Sequence, residues 1–368
     1  MLVQRSVFAV LAALCVVPVA LASDAELLNA RDRYLPAATL GYAPTPDGAQ
    51  ARYDAGRNLV EAVLAAGVVR ESLRPLRAEL LRRGRTAVAR AEALDRPDGS
   101  VGSGRYAPLV PASERAGPRM PDATLDDRLS AAATKFDGWA AVWVHDLRTG
   151  RFAGWSEDLR FPAASTVKLG ALAAALRTSK IPESGRSWYD ARQIGAWSSN
   201  LAANRILAGL GYGAISDGLR RLGMTSSTYP GPYRATTGLG SPPPGSYTRV
   251  TTARDLGRAL YRLHAGAHGD RRALGLLGLT RRQAQAGVRI LLSAQRASDN
   301  LGLLRPWLGS TPVAEKNGWL SDARLTAAIV YGRRGPVVVV VAAYRPGLEA
   351  PEARRLGRDV LRAAGLAK

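Results

Sequence analysis

Apolar positions recur at helical spacing through Leu125-Asp-Asp-Arg-Leu129-Ser-Ala-Ala-Ala133, which predicts an amphipathic helix. The period then shortens. Trp139 to Leu147, Arg148-Thr-Gly150 and Arg151-Phe-Ala-Gly-Trp155 read as strand, turn, strand. An Ala- and Leu-rich helical run follows Phe161-Pro162, from Leu169 to Leu176, and others begin near Ser198 and Thr251. Towards the end, Val313–Trp319 and Leu325–Tyr331 read as a hairpin turning near Ser321-Asp322. Gly335-Pro336 then leads into the valine strand Val337–Val341. Before residue 122 the pattern is different. Asn58–Val69 and Ser72–Leu94 are helical in period, with Pro75 near the start of the second. Asp95–Pro121 is rich in Pro, Gly and Ser and reads as a linker. Met1–Ala22 has Arg5, an apolar run from Val7 to Val19 and an Ala20-Leu-Ala22 ending, the form of a cleaved export signal. The expected organisation is therefore a leader (1–22), a helical extension (23–94), a linker (95–121) and one larger domain (122–368).

Three short words fall inside this frame: Ser165-Thr-Val-Lys168, Ser198-Ser-Asn200 and Lys316-Asn-Gly318. The first opens a helix, so Lys168 lies one turn after Ser165 on the same face. Free N–H groups at that end stabilise negative charge. A serine nucleophile needs a base within hydrogen-bond reach, and a buried lysine that has lost its proton can serve. A capped helix carrying a surface lysine is the plain alternative. The second word sits before a helix, where an ordinary N-cap serine is the plain alternative. In the third, Gly318 on a strand lets a substrate backbone approach. Only five residues are lysine among 51 basic ones, and two of the five stand in these words. A lysine in an arginine-rich chain suits a site that needs a cation able to deprotonate.

In this order, the words S-x-x-K, S-x-N and K-x-G resemble those of the class A β-lactamase branch of the penicillin-recognising serine hydrolases. Ser198-x-Asn200-x-Ala-Ala-Asn204 is similar to the class A segment, and similarity extends over roughly residues 122–368. The resemblance implies an α/β (α+β sandwich) fold, an antiparallel sheet flanked by helices, with the site at the sheet edge. It implies Ser165 as nucleophile, Lys168 as its base, and Ser198 with Lys316 as the proton relay to the leaving nitrogen. The N–H groups of Ser165 and Trp319 would form the oxyanion hole. Asn200, Asn317, Gly318 and Arg324 would bind substrate, with Arg324 across the hairpin from Asn317 as a fork for a carboxylate. A surface arginine is the other reading of Arg324.

The chain departs from the pattern in places. Ser199 and Asn317 replace the usual Asp and Thr/Ser. Ser165 and Ser198 are 33 residues apart, roughly half the family spacing, which implies a trimmed helical subdomain. No Asp or Glu occurs between Gly223 and Arg254, where class A enzymes keep the glutamate that activates the deacylating water. Tyr229, Tyr233 and Tyr247 are the titratable hydroxyls there. Acylation is thus better supported than rapid turnover.

Histidines number three (His145, His264, His268), without a cysteine ligand near the 264/268 pair. No metal or cofactor is expected. The sole cysteine, Cys15, falls in the leader. Net charge is +21, of which about +17 falls after Pro121. Such a surface suits anionic partners, wall polymers or lipid headgroups, and equally reflects an arginine-rich coding bias. No nucleic-acid motif accompanies it. The expectation is a secreted or extracytoplasmic serine hydrolase acting on β-lactams or cell-wall peptides. A D-alanyl-D-alanine carboxypeptidase and a non-catalytic wall-peptide-binding protein are the alternatives.

Overall fold

The computed structural model describes residues 23–42, 46–94, 120–178, 185–233, 248–296 and 301–367. The expected leader and nearly all of the expected linker lie outside them. Contacts divide the chain into two units, Met1–Asp98 and Gly99–Lys368.

The first unit is helical: α1 (23–39), α2 (Pro46–Ala65) and α3 (Arg74–Leu94). Pro75 occupies the first turn of α3, where a missing N–H costs nothing. Its core is small, built on Leu27, Leu59, Val63, Leu80 and Ala87. No helix among the described residues is long and apolar enough to cross a membrane.

The second unit is built on a six-stranded sheet. Its strands are β1 (Met120–Pro121), β2 (Trp139–Asp146), β3 (Arg151–Trp155), β6 (Val313–Trp319), β7 (Ala323–Gly332) and β8 (Gly335–Tyr344), in the order β1-β3-β2-β8-β7-β6. All neighbours are antiparallel except β1 on β3. Met120 and Pro121, read as linker above, thus belong to the sheet. Alternation along the strands builds two cores. Ala327, Ile329, Val338 and Val340 face one helical layer. Ala328, Val330, Val339 and Val341 face the other, formed by α4 (Ala123–Ala133) and α11 (Ala350–Ala363). β-Branched residues buried on both sides are what a central strand demands.

The first layer holds α5 (Lys168–Thr178), α6 (Gly185–Trp197), α7 (Asn200–Leu222), α8 (Ala253–Ala267), α9 (Arg271–Leu277) and α10 (Arg281–Leu292). α7 breaks at Gly211, whose φ of 78° no helix allows. A two-stranded ribbon, β4 (Phe161–Pro162) with β5 (Val250–Thr251), ties the entry of α5 to the end of the tyrosine-bearing loop. β6 is the edge strand, and β6 with the residues before α5 forms the site.

Candidate active site

Ser165 lies three residues before α5. Lys168, Leu169 and Gly170 donate their N–H groups to Ser165, Thr166 and Val167 (3.0–3.2 Å), so a tight 3₁₀-like run leads into the helix. Ala164 is left-handed, with φ 46°. A non-glycine residue held there costs free energy, and such strain gathers at functional sites. Ser165 is half-buried and Lys168 fully buried. A surface lysine is excluded.

Ser199, not Ser198, caps α7: its hydroxyl accepts from Ala202 N–H at 3.1 Å. A serine therefore does the capping work that an aspartate could also do. Ser198 is left free for chemistry, and it too is left-handed, φ 57°. Lys168 Nζ donates to the Ser198 carbonyl and to Asn200 Oδ1. Lys316 Nζ donates to Ser198 Oγ at 2.6 Å and to the Asn317 carbonyl at 2.7 Å. The three words thus meet at Ser198. Burial pushes Lys316 down to about 7, against the pull of Glu315. Near neutrality this amine is able both to give and to take a proton.

The edge strand sets the remaining geometry. Tyr331 N–H bonds the Pro312 carbonyl and Leu320 N–H bonds that of Ala323. In an antiparallel ladder every second residue turns both backbone groups to its partner. Even-numbered residues of β6 therefore face β7, and the Asn317 carbonyl and Trp319 N–H point to the open edge. A Cβ on Gly318 would come within 3.0 Å of the Ala163 carbonyl and Thr166 Cγ2, so the strand packs tightly on the nucleophile turn. A side chain there would have to push these atoms back, which favours glycine, and Trp319 N–H is carried beside that turn.

Side chains of β6 alternate across the sheet. Those of Asn317 and Trp319 point away from the nucleophile turn. Asn317 is fully buried and accepts from Thr326 Oγ1 at 2.8 Å. Its amide is committed inside the protein, so its part in the edge is played by its backbone. The expected placement of Arg324 opposite Asn317 is corrected: Thr326 pairs with Asn317, and Arg324 pairs with Trp319. The hairpin is tighter than read because β7 begins at Ala323. Arg324 is neither a free surface arginine nor a fork beside Lys316. Its guanidinium stacks on the Trp319 ring at 4.8 Å and donates to the Leu320 carbonyl at 2.9 Å. Burial and nearby Arg354 lower its proton affinity.

Two features escaped the sequence reading. Glu315, fully buried, is ion-paired with Arg305 on the far face of β6. Burial raises its pKa and Arg305 opposes that shift. The other feature is Tyr233. Asn204 clamps its backbone, Oδ1 accepting from Tyr233 N–H at 2.7 Å and Nδ2 donating to its carbonyl at 2.8 Å. Its ring lies 4.3 Å from Lys168 Nζ, and its hydroxyl donates to the Ala164 carbonyl at 2.9 Å. In sequence Tyr233 stands out only as one of three tyrosines in the loop; the contact that gives it meaning is made by Asn204, the last residue of the segment matched above.

With the fold and the lysine–serine cluster in place, comparison with known proteins decides the family. The profile of the Beta-lactamase enzyme family matches residues 124–181 and 191–364. The chain belongs to the β-lactamase enzyme family. Among solved structures it is similar to PBP-A (19% identity, TM-score 0.54), over 68% of this chain and 99% of that one. A β-lactamase from Sphaerobacter thermophilus matches at 20% identity and TM-score 0.51, over 67% and 98%. One from Streptosporangium roseum matches at 21% and 0.52, over 66% and 99%. No curated protein matches. At these identities the structures establish a shared fold. The family's three words stand in this chain at Ser165–Lys168, Ser198–Asn200 and Lys316–Gly318.

Proposed function

We propose that the protein is an exported serine hydrolase that is acylated at Ser165 by β-lactams or related amides and deacylates slowly. The convergence of Lys168 and Lys316 on Ser198 carries this reading. Ser165 Oγ attacks the amide carbonyl and Lys168 takes its proton. The oxyanion is held by the N–H groups of Ser165 and Trp319, worth about 3–4 kcal/mol per donor in such sites. Ser198 gives its proton to the leaving nitrogen and is reprotonated by Lys316. The C–N bond breaks and an ester remains on Ser165. Asn200 orients Lys168 and the substrate amide, while the Asn317 carbonyl and Gly318 present the strand edge. Support from a structural relative is direct on one point: a variant of PBP-A has been seen as an acyl-enzyme complex with penicillin G.

The loop without a carboxylate favours a second reading, a D-alanyl-D-alanine carboxypeptidase whose acyl-enzyme with penicillin is long-lived. The cationic surface would then hold the enzyme near anionic wall polymers or lipid headgroups. Nitrocefin separates these from a rapid β-lactamase. A stoichiometric burst followed by a slow steady state is expected, and release of D-alanine from a D-Ala-D-Ala peptide identifies the carboxypeptidase. Fast turnover without a burst contradicts slow deacylation.

A further inference from the structure

Tyr233 is held from every side. Asn204 fixes its backbone, and its hydroxyl is anchored on Ala164, the residue before the nucleophile. Arg249 stacks on its ring at 3.9 Å and itself donates to the Gly231 carbonyl at 2.6 Å. Tyr229 meets the ring edge-on at 5.6 Å. Lys168 faces the ring at 4.3 Å. A loop residue with no structural task would not gather two cations, a clamp and an aromatic neighbour. The ring occupies ground bounded by the Ser165 turn and by Lys168.

We propose that Tyr233 is a positioning residue that sets the lifetime of the acyl-enzyme, its ring filling the place from which water would attack the ester on Ser165. The proposal rests on the acyl-enzyme reading above. Hydrolysis of that ester requires the water oxygen to bond the acyl carbon while its proton passes to a base. The C–Oγ bond then breaks and Oγ takes a proton. A positioned base contributes about 10²–10⁴-fold to such a step. Tyr233 supplies none: its O–H is already donated to Ala164, and burial keeps the phenol protonated far above neutral pH. The ring also covers one side of Lys168, 4.3 Å from its Nζ.

The full chain and its Tyr233→Phe, Tyr233→Leu and Tyr233→Glu variants are to be reacted with benzylpenicillin, with the adduct followed by intact mass and folding checked by thermal melt. Tyr233→Phe keeps the ring, and its adduct should decay within about twofold of wild type. Tyr233→Leu opens the space and should shorten the adduct's life at least tenfold. Tyr233→Glu adds a base and should shorten it further. Acylation by Tyr233→Phe, which keeps the ring against Lys168, should stay within about threefold, and Tyr233→Leu should change adduct decay by a larger factor than acylation, a split between the two steps that a merely structural residue would not give. Whichever of the Leu and Glu variants melts cooperatively decides the matter. Decay within twofold of wild type overturns the proposal, as does a Tyr233→Phe adduct that decays as fast as Tyr233→Leu. A wild-type protein that forms no adduct overturns this proposal together with the acyl-enzyme reading; an adduct indifferent to Tyr233 overturns this proposal alone.

Discussion

Lys316 carries the most informative charge in the molecule. It is fully buried, holds Ser198 Oγ, and is brought by burial to about 7. If its proton is the one relayed to the leaving nitrogen, the second-order acylation rate reports the free protein's Lys316. The rate should fall about tenfold per pH unit above about 7, once the amine is neutral. A rate level to pH 9 would remove Lys316 from the relay. The same shift gives a stability signature. Between about 7 and the usual lysine value, the unfolded chain binds a proton that the folded one does not. The cost of burying this group is therefore full below that window and disappears as pH rises through it. The motif words were legible because each is a fixed spacing of chemically distinctive side chains. Arg324 was not, because a two-residue change in where β7 starts moves its partner from Asn317 to Trp319. Residue periodicity does not fix a turn to one residue.

At the scale of elements, the edge strand is the part most worth perturbing. β6 carries the Lys316 side chain on the face toward Ser198 and the Trp319 N–H on its open edge. On its far side it is anchored by Arg305–Glu315 and by Thr326, which donates to Asn317 and accepts from Leu303 N–H at 2.8 Å. Removing one partner of a buried ion pair leaves a charge without compensation. Arg305→Met should lower stability by about 3–5 kcal/mol in urea unfolding. The loss should shrink at acid pH, as Glu315, already raised by burial, takes a proton. Arg305→Met with Glu315→Leu should recover much of it. A single variant within 0.5 kcal/mol of wild type, on the usual scale of surface substitutions, would show that the pair does not anchor β6. The strands and α4 were readable because alternation and turn residues mark them. The pair was not, because Glu315 and Arg305 are ten residues apart on different elements and neither stands in a repeating pattern. α6, α9, α10 and α11 were likewise unread, although in α11 Ala353, Leu356, Val360 and Leu361 recur at helical spacing.

For the whole molecule, the two units have separate apolar cores. One draws on residues 27–87, and the others begin at Leu125. We expect residues 120–368 to fold without the preceding helices, since each core closes within its own unit. A single cooperative thermal transition of that fragment, with the adduct-forming ability of the full chain, is the expected result. A fragment without such a transition would make the N-terminal helices part of the catalytic fold. Met120 must be kept, because β1 completes the sheet beside β3. Fold class was legible at this scale from the order of strands and helices and from the family resemblance. The chemistry of the Pro- and Gly-rich loop was not, since its meaning lies in which side chain the fold presses against Lys168.

The account turns on one bond, the ester between Ser165 Oγ and an acyl group. Intact mass after incubation with benzylpenicillin, followed by peptide mapping, measures it directly. The account predicts one adduct per chain, carried by the peptide that contains Ser165 and absent from a folded Ser165→Ala variant. An adduct on another residue, or none with several β-lactams at long incubation, would contradict it.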